Sequence, residues 1–135
     1  MPFTPKNDAE VTMIKIALSY LGNAKCGGFN GNLVSLNEDS NGLPGTALHT
    51  WSFTNLPEYG TCCTLQVAKS PEGLTVTKGT KYWVVAFTNK KEATANDGWY
   101  LQYNLVKGPM AGNTGSGWQL HNTYVTAFGV FGNKK

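Results

Sequence analysis

Arginine is absent from this 135-residue chain, and that absence narrows its partners at once. All 11 basic side chains are Lys, so the formal net charge of +3 rests on separate ammonium groups without the planar fork that grips phosphates and base edges. Adjacent lysines occur only at Lys90-Lys91 and Lys134-Lys135, and nucleic acid is not an expected partner. Long apolar runs are missing as well. The first apolar-rich stretch, 11–21, contains Lys15 and alternates, which excludes membrane insertion and does not have the form of a signal peptide. A secreted product is then expected to be represented by its mature chain with Met1 added. No ten-residue stretch carries helical spacing, and only 14% of the residues are charged.

What is present suits strands and turns. The chain has 15 Thr, 13 Asn and 16 Gly; Thr favours strands, while Asn and Gly favour the turns between them. The length suits one domain with a two-layer core. Alternation over 11–20 places Ile14, Ile16, Leu18 and Tyr20 on one face and Met13, Lys15, Ala17 and Ser19 on the other. Further strands are expected at 33–36, 48–53, 62–68, 81–88, 99–105 and 124–131, with shorter ones near Phe3, at 74–76 and at 118–121. Turn chemistry marks 37–46, and loops are expected at 21–32 and 108–117. Eight or nine strands so spaced predict an all-β, antiparallel two-sheet sandwich, jelly-roll-like, with an immunoglobulin-like sandwich as the alternative. The segment 81–88 is apolar on both faces, so it is expected to be covered on both sides or to have one face in a groove.

Two phrases carry a family resemblance: Asn41-Gly42-Leu43-Pro44-Gly45-Thr46-Ala47-Leu48, and Val76-Thr77-Lys78-Gly79-Thr80-Lys81-Tyr82-Trp83-Val84-Val85. Together with Phe3-Thr4-Pro5 and the final strand region 125–132, they resemble secreted bacterial β-sandwich domains of the choice-of-anchor R type. The resemblance implies an extracellular or cell-surface module with no shared activity. Family members commonly continue into a sorting signal or membrane anchor, which Phe131-Gly132-Asn133-Lys134-Lys135 does not resemble.

Residues able to do chemistry are few. Asn37-Glu38-Asp39-Ser40-Asn41-Gly42 matches the opening of a calcium loop, but its twelfth position is Leu48 where a bidentate Glu is needed, and an Asx-rich turn uses the same residues. His49 and His121 have no metal-ligand spacing to the cysteines, so no metal and no cofactor is expected. Glu38, Asp39, Glu58, Glu72, Glu92 and Asp97 are all expected in loops or turns, where paired catalytic carboxylates would not be held rigidly. Aromatics are the stronger signal. Trp51, Trp83 and Trp99 suit a core, whereas Trp118 follows Gly-Ser-Gly and is placed near Tyr100 if the two late strands pair. Tyr100, Gln102, Asn104 and Trp118 are therefore the candidate ligand-binding residues, with Gln119 and Asn122 as further hydrogen-bonding amides.

These residues support a non-catalytic module for adhesion or carbohydrate recognition, binding a glycan or cell-surface polymer. A structural spacer or self-associating surface subunit is the alternative, and a small jelly-roll hydrolase or lyase comes third. Three cysteines leave one thiol over: Cys26 is expected to bridge Cys62 or Cys63, against three free thiols or a direct bridge between the adjacent pair. Under non-reducing conditions the intact mass should show the loss of two hydrogens and one alkylatable thiol. Three alkylated thiols in periplasmically expressed protein refute the bridge, and a peptide map joining Cys62 to Cys63 refutes its connectivity.

Overall fold

A computed structural model of the chain describes residues 1–20, 31–58, 65–87, 97–99 and 105–135, with the backbone alone at 20, 31 and 97–99. Twelve strands run through the described residues: β1 (Pro2–Phe3), β2 (Ala9–Ile16), β3 (Leu18–Tyr20), β4 (Gly31–Ser40), β5 (Leu43–Thr54) and β6 (Gln66–Lys69) come first. They are followed by β7 (Thr75–Val76), β8 (Tyr82–Phe87), β9 (Asp97–Trp99), β10 (Lys107–Asn113), β11 (Trp118–Tyr124) and β12 (Phe128–Lys134). One sheet has the order β1-β8-β4-β5; the other has β12-β2-β6, with β7 also paired to β2. β3 pairs with β9, and β10 with β11 forms a separate two-stranded ribbon. Each pairing is antiparallel. The all-β antiparallel sandwich expected from the sequence is the architecture found. Among the described residues no helix is long and apolar enough to cross a membrane.

The core forms where the two four-stranded sheets turn their apolar faces to one another. Val34 and Leu36 of β4, Trp51 and Phe53 of β5, and Tyr82 and Val84 of β8 meet Val11, Ile14 and Ile16 of β2, with Leu74 and Val76 closing one end. Removing these side chains from water is the main favourable term of folding. Two aromatics tie the sheets together. Phe3 of the first sheet stacks on Tyr82 at 5.9 Å between ring centroids and meets Phe128 of the second edge-on at 6.3 Å. The Trp51 indole N–H donates to the carbonyl of Lys69 in β6, 3.1 Å away.

The longest hairpin joins β4 to β5 through Asn41 and Gly42 alone. Both have positive φ, 53° and 83°, the left-handed pair that a two-residue hairpin needs to match strand twist, and Asn-Gly supplies it at least strain. The turn chemistry expected over 37–46 is thus confined to two residues, and the flanking Asx residues continue the strands. Register irregularities at Asn37 and Asp39 absorb the mismatch, with the Asn37 side-chain amide donating to the carbonyl of Gly45 at 2.7 Å. Asp39 fastens the hairpin to β8. One carboxylate oxygen accepts the Trp83 indole N–H at 2.7 Å and the other accepts the Gly42 backbone N–H at 2.9 Å.

Several sequence expectations are corrected. The strand at 11–20 starts earlier, at Ala9, and breaks at Ala17; Ala17 and Ser19 are buried beside Leu18, so that end is covered on both faces. The expected loop at 108–117 is a strand to Asn113 followed by a short turn, because cross-strand pairing with β11 satisfies its backbone despite Gly, Pro and Asn. The expected strand at 124–131 is divided, β11 ending at Tyr124 and β12 starting at Phe128. Glu38, Asp39 and Asp97 lie in strands, not loops.

Asp39→Ala should destabilise the fold by about 1–3 kcal/mol in urea titrations, because the buried Trp83 indole and the turn amide lose their acceptor. Asp39→Asn, which keeps one acceptor, should cost less. The Trp83 N–H, above all, holds the Asp39 carboxyl below its ordinary range; partial desolvation opposes it, and the Gly42 N–H and Lys81 ammonium add to it. With the folded pKa lowered, the stabilisation is present above the unfolded value and is lost as pH falls through the lowered one. The alanine variant should therefore lose less stability than wild type over that acid range.

Candidate functional site

The outer face of the β1-β8-β4-β5 sheet is not left to solvent. Side chains alternate along β8, so Trp83, Val85 and Phe87 point away from the core while Tyr82, Val84 and Ala86 point toward it. Tyr82 through Val85 are all buried, with Trp83 only 1% exposed. Of the two expectations for this segment, cover on both sides or one face in a groove, the second describes Val85 and Phe87, which line a cavity. Opposite the outer face stands the β10–β11 ribbon, and between them is a cavity of about 510 Å³. That is within the range of small-ligand sites, about 300–1,000 Å³.

Its floor comes from Ser35 and Asn37 of β4 and Val85 and Phe87 of β8; Pro44 and Ala47 of β5 form one margin, and Met110 to Asn113 with Trp118 form the opposite wall. Among the described lining residues none bears a charged side chain. The polar ones are committed to the fold. Ser35 Oγ donates to Asn37 Oδ1 at 2.5 Å, and Asn37 Nδ2 donates to Gly45. Asn113 Oδ1 accepts the backbone N–H groups of Gly115 and Gly117 at 2.9 and 3.2 Å, organising the ribbon's turn, where both glycines have positive φ. Trp118 lies directly opposite Asn113 in the ribbon register. It is half-buried, and among the described residues its indole N–H has no hydrogen-bond partner, unlike those of Trp51 and Trp83. A second cavity of about 240 Å³ lies between residues 3–11 and β12, with Lys6 and Lys134 at its margin.

Of the sequence-predicted ligand residues the structure places Trp118 alone; Tyr100, Gln102 and Asn104 lie outside the described residues, as do Cys26, Cys62 and Cys63. Trp118 pairs with β10, a partner missed because Gly108, Pro109 and Gly112 read as a loop. Gln119 and Asn122 are exposed on the ribbon. The calcium-like opening of 37–42 is a strand end and turn in which both Asp39 oxygens already accept hydrogen bonds. Other carboxylates also serve the backbone: Glu10 accepts the Gly73 N–H at 2.9 Å, and Asp8 accepts the Lys78 N–H at 2.7 Å. Among the described residues no three His, Cys, Asp or Glu side chains converge as a metal site.

Met1, which also lines the groove, could not be anticipated from sequence pattern. It is 5% exposed; its amine donates to the carbonyl of Val84 at 2.7 Å and its carbonyl accepts the Val84 N–H at 2.8 Å. Desolvation by burial lowers the amine's pKa from 8.0 to about 5, so at neutral pH it brings no cation to the groove. Compared with protein-family models, curated proteins and solved structures, the chain matches none.

With Met1 as the first residue, the amine makes folding stability depend on pH. Its folded pKa lies below its unfolded one, so between about pH 5 and 8 the unfolded chain binds more protons and stability rises with pH, by at most about 4 kcal/mol. Urea unfolding at pH 5.5 and 8 should show this rise and a plateau above pH 8. A flat profile across that window contradicts the buried amine.

Proposed function

We propose that this domain is a non-catalytic extracellular recognition module, of the kind the choice-of-anchor resemblance implies, which binds a glycan or cell-surface polymer at the sheet–ribbon groove. The observation that carries the reading is the division of labour among the tryptophans with described side chains. Trp51 is buried in the core and Trp83 beneath the opposite sheet face, and each has its N–H bound to a structural acceptor. Trp118 stands at the groove mouth, half-buried, with its N–H unused. An indole so placed offers a flat apolar face for stacking and a donor for a hydroxyl. The groove's lack of charge suits a neutral ligand better than an anionic one.

A structural spacer or self-associating subunit is the second reading. It is favoured by the apolar side chains left exposed on the ribbon, where Leu120 is 56% exposed and Tyr124 39%. Concentration-dependent association in sedimentation velocity, without any ligand, supports that reading over the first.

Glycans that bind should quench the tryptophan fluorescence, and Trp118→Ala should abolish binding while leaving the unfolding midpoint close to wild type. Trp83→Ala should instead cost about 3–5 kcal/mol as a buried truncation. A glycan array with no hits, together with strong destabilisation by Trp118→Ala, overturns the recognition reading.

A further inference from the structure

We infer that the floor of the sheet–ribbon groove takes an alkyl or acyl group, so that its ligand is an amphiphile whose polar head lies at the mouth beside Trp118. The inference rests on the reading of this groove as the ligand site and names the chemistry of the part that enters it. A pyranose buried in the floor would bring several hydroxyls, each needing a partner to replace water. The floor has few to offer: Ser35 spends its hydroxyl proton on Asn37, Asn37 spends one amide proton on Gly45, and Val85 and Phe87 supply only carbon. An ionic group fares worse, since no lining side chain among the described residues can neutralise it. An aliphatic chain demands neither. Ala47 and Ala111 are the small residues that leave the space open.

The polar side chains with the most exposed hydrogen-bonding groups lie toward the rim, whereas Ser35 and Asn37 of the floor are buried and bonded to the fold. Asn113 is exposed at the end of the ribbon strand, and its side-chain N–H₂ remains available because only its carbonyl oxygen serves the turn. Trp118 opposite it combines an apolar ring with a free donor. The groove thus passes from a floor of Val85 and Phe87 with two internally bonded polar side chains to freer hydrogen-bonding groups at its mouth, the polarity gradient of an amphiphile.

The test is titration of the intact chain with methyl, hexyl and octyl β-glucosides and an octyl sulfobetaine, all below their micelle-forming concentrations. Affinity for the glucosides should rise about three- to fourfold per methylene added, the effect of burying one CH₂ group. Ala47→Phe, which fills the groove from an exposed position, should remove the chain-length dependence. Ala111→Phe provides a second filling variant, with circular dichroism confirming retained strand content. Octyl sulfobetaine binding as tightly as octyl glucoside supports the inference while removing the sugar-recognition reading. Methyl glucoside binding as tightly as octyl glucoside overturns the inference and leaves that reading standing. Absence of binding by every probe overturns both. Chain-length dependence that persists in both filling variants also overturns the inference, because the chains then bind elsewhere.

Discussion

A strand that is apolar on both faces cannot leave either one in water without losing much of what folding gains, and β8 is such a strand. Its inner side chains, Tyr82 and Val84, complete the core between the sheets. Its outer ones, Trp83 and Val85, need a second cover, and the rest of the molecule is arranged to supply it. Met1 pairs with Val84 through two backbone-type hydrogen bonds and lines the groove. The hairpin of β4 and β5 reaches past β8 far enough for Asp39 to receive the Trp83 indole. The β10–β11 ribbon then faces what remains. Covering Val85 and Phe87 from a distance, without filling the space, leaves the groove.

Much of this was legible in the residues. Period-two alternation pointed to β2, because a strand half-buried against a core must alternate, while apolar runs bounded by turn residues pointed to β4, β5 and β8. The double-sided apolarity of 81–88 pointed to a strand either covered on both sides or with one face in a groove. What escaped the sequence reading was pairing that depends on a distant partner. Gly108, Pro109 and Gly112 are poor strand formers alone, yet β10 pairs with β11 from Lys107↔Tyr124 to Asn113↔Trp118. Local propensity gave way to the ladder. The Asx cluster at 37–42 misled in the opposite direction: its side chains look like turn formers or cation ligands. Only Asn41 and Gly42 make the turn, since an Asn-Gly pair closes a two-residue hairpin and the preceding residues can stay extended. Met1 was invisible for a different reason, since no pattern rule assigns a chain terminus to a groove.

The glycines of β12 illustrate how the second sheet tolerates its own irregularity. At Gly132 the pairing with β2 shifts by a residue, and a Cβ there would strike the carbonyl of Glu10. Gly129 lies beneath the Phe131 ring, which any side chain would displace. The Lys15 ammonium sits 5.0 Å from the centre of that ring. The outer face of the second sheet is therefore closed locally by one aromatic laid over backbone. The first sheet instead has a ribbon standing off from it, which explains why the larger cavity is on that side.

The ribbon itself is the part of this design least able to stand alone. Two strands joined by a short turn are marginal in water, so their position depends on closure at the base and on packing against the sheet. The base is closed by the Val125 N–H donating to the carbonyl of Val106 at 2.9 Å, and the tip is set by Asn113 and its two turn amides. Between these fixed ends the ribbon meets the sheet across a partly open space. A group seated there gains contact with Val85 and Phe87 on one side and Met110 and Trp118 on the other, so it strengthens the very packing that positions the ribbon. On the proposed reading of the groove as a ligand site, affinity and ribbon order would be two expressions of the same buried area.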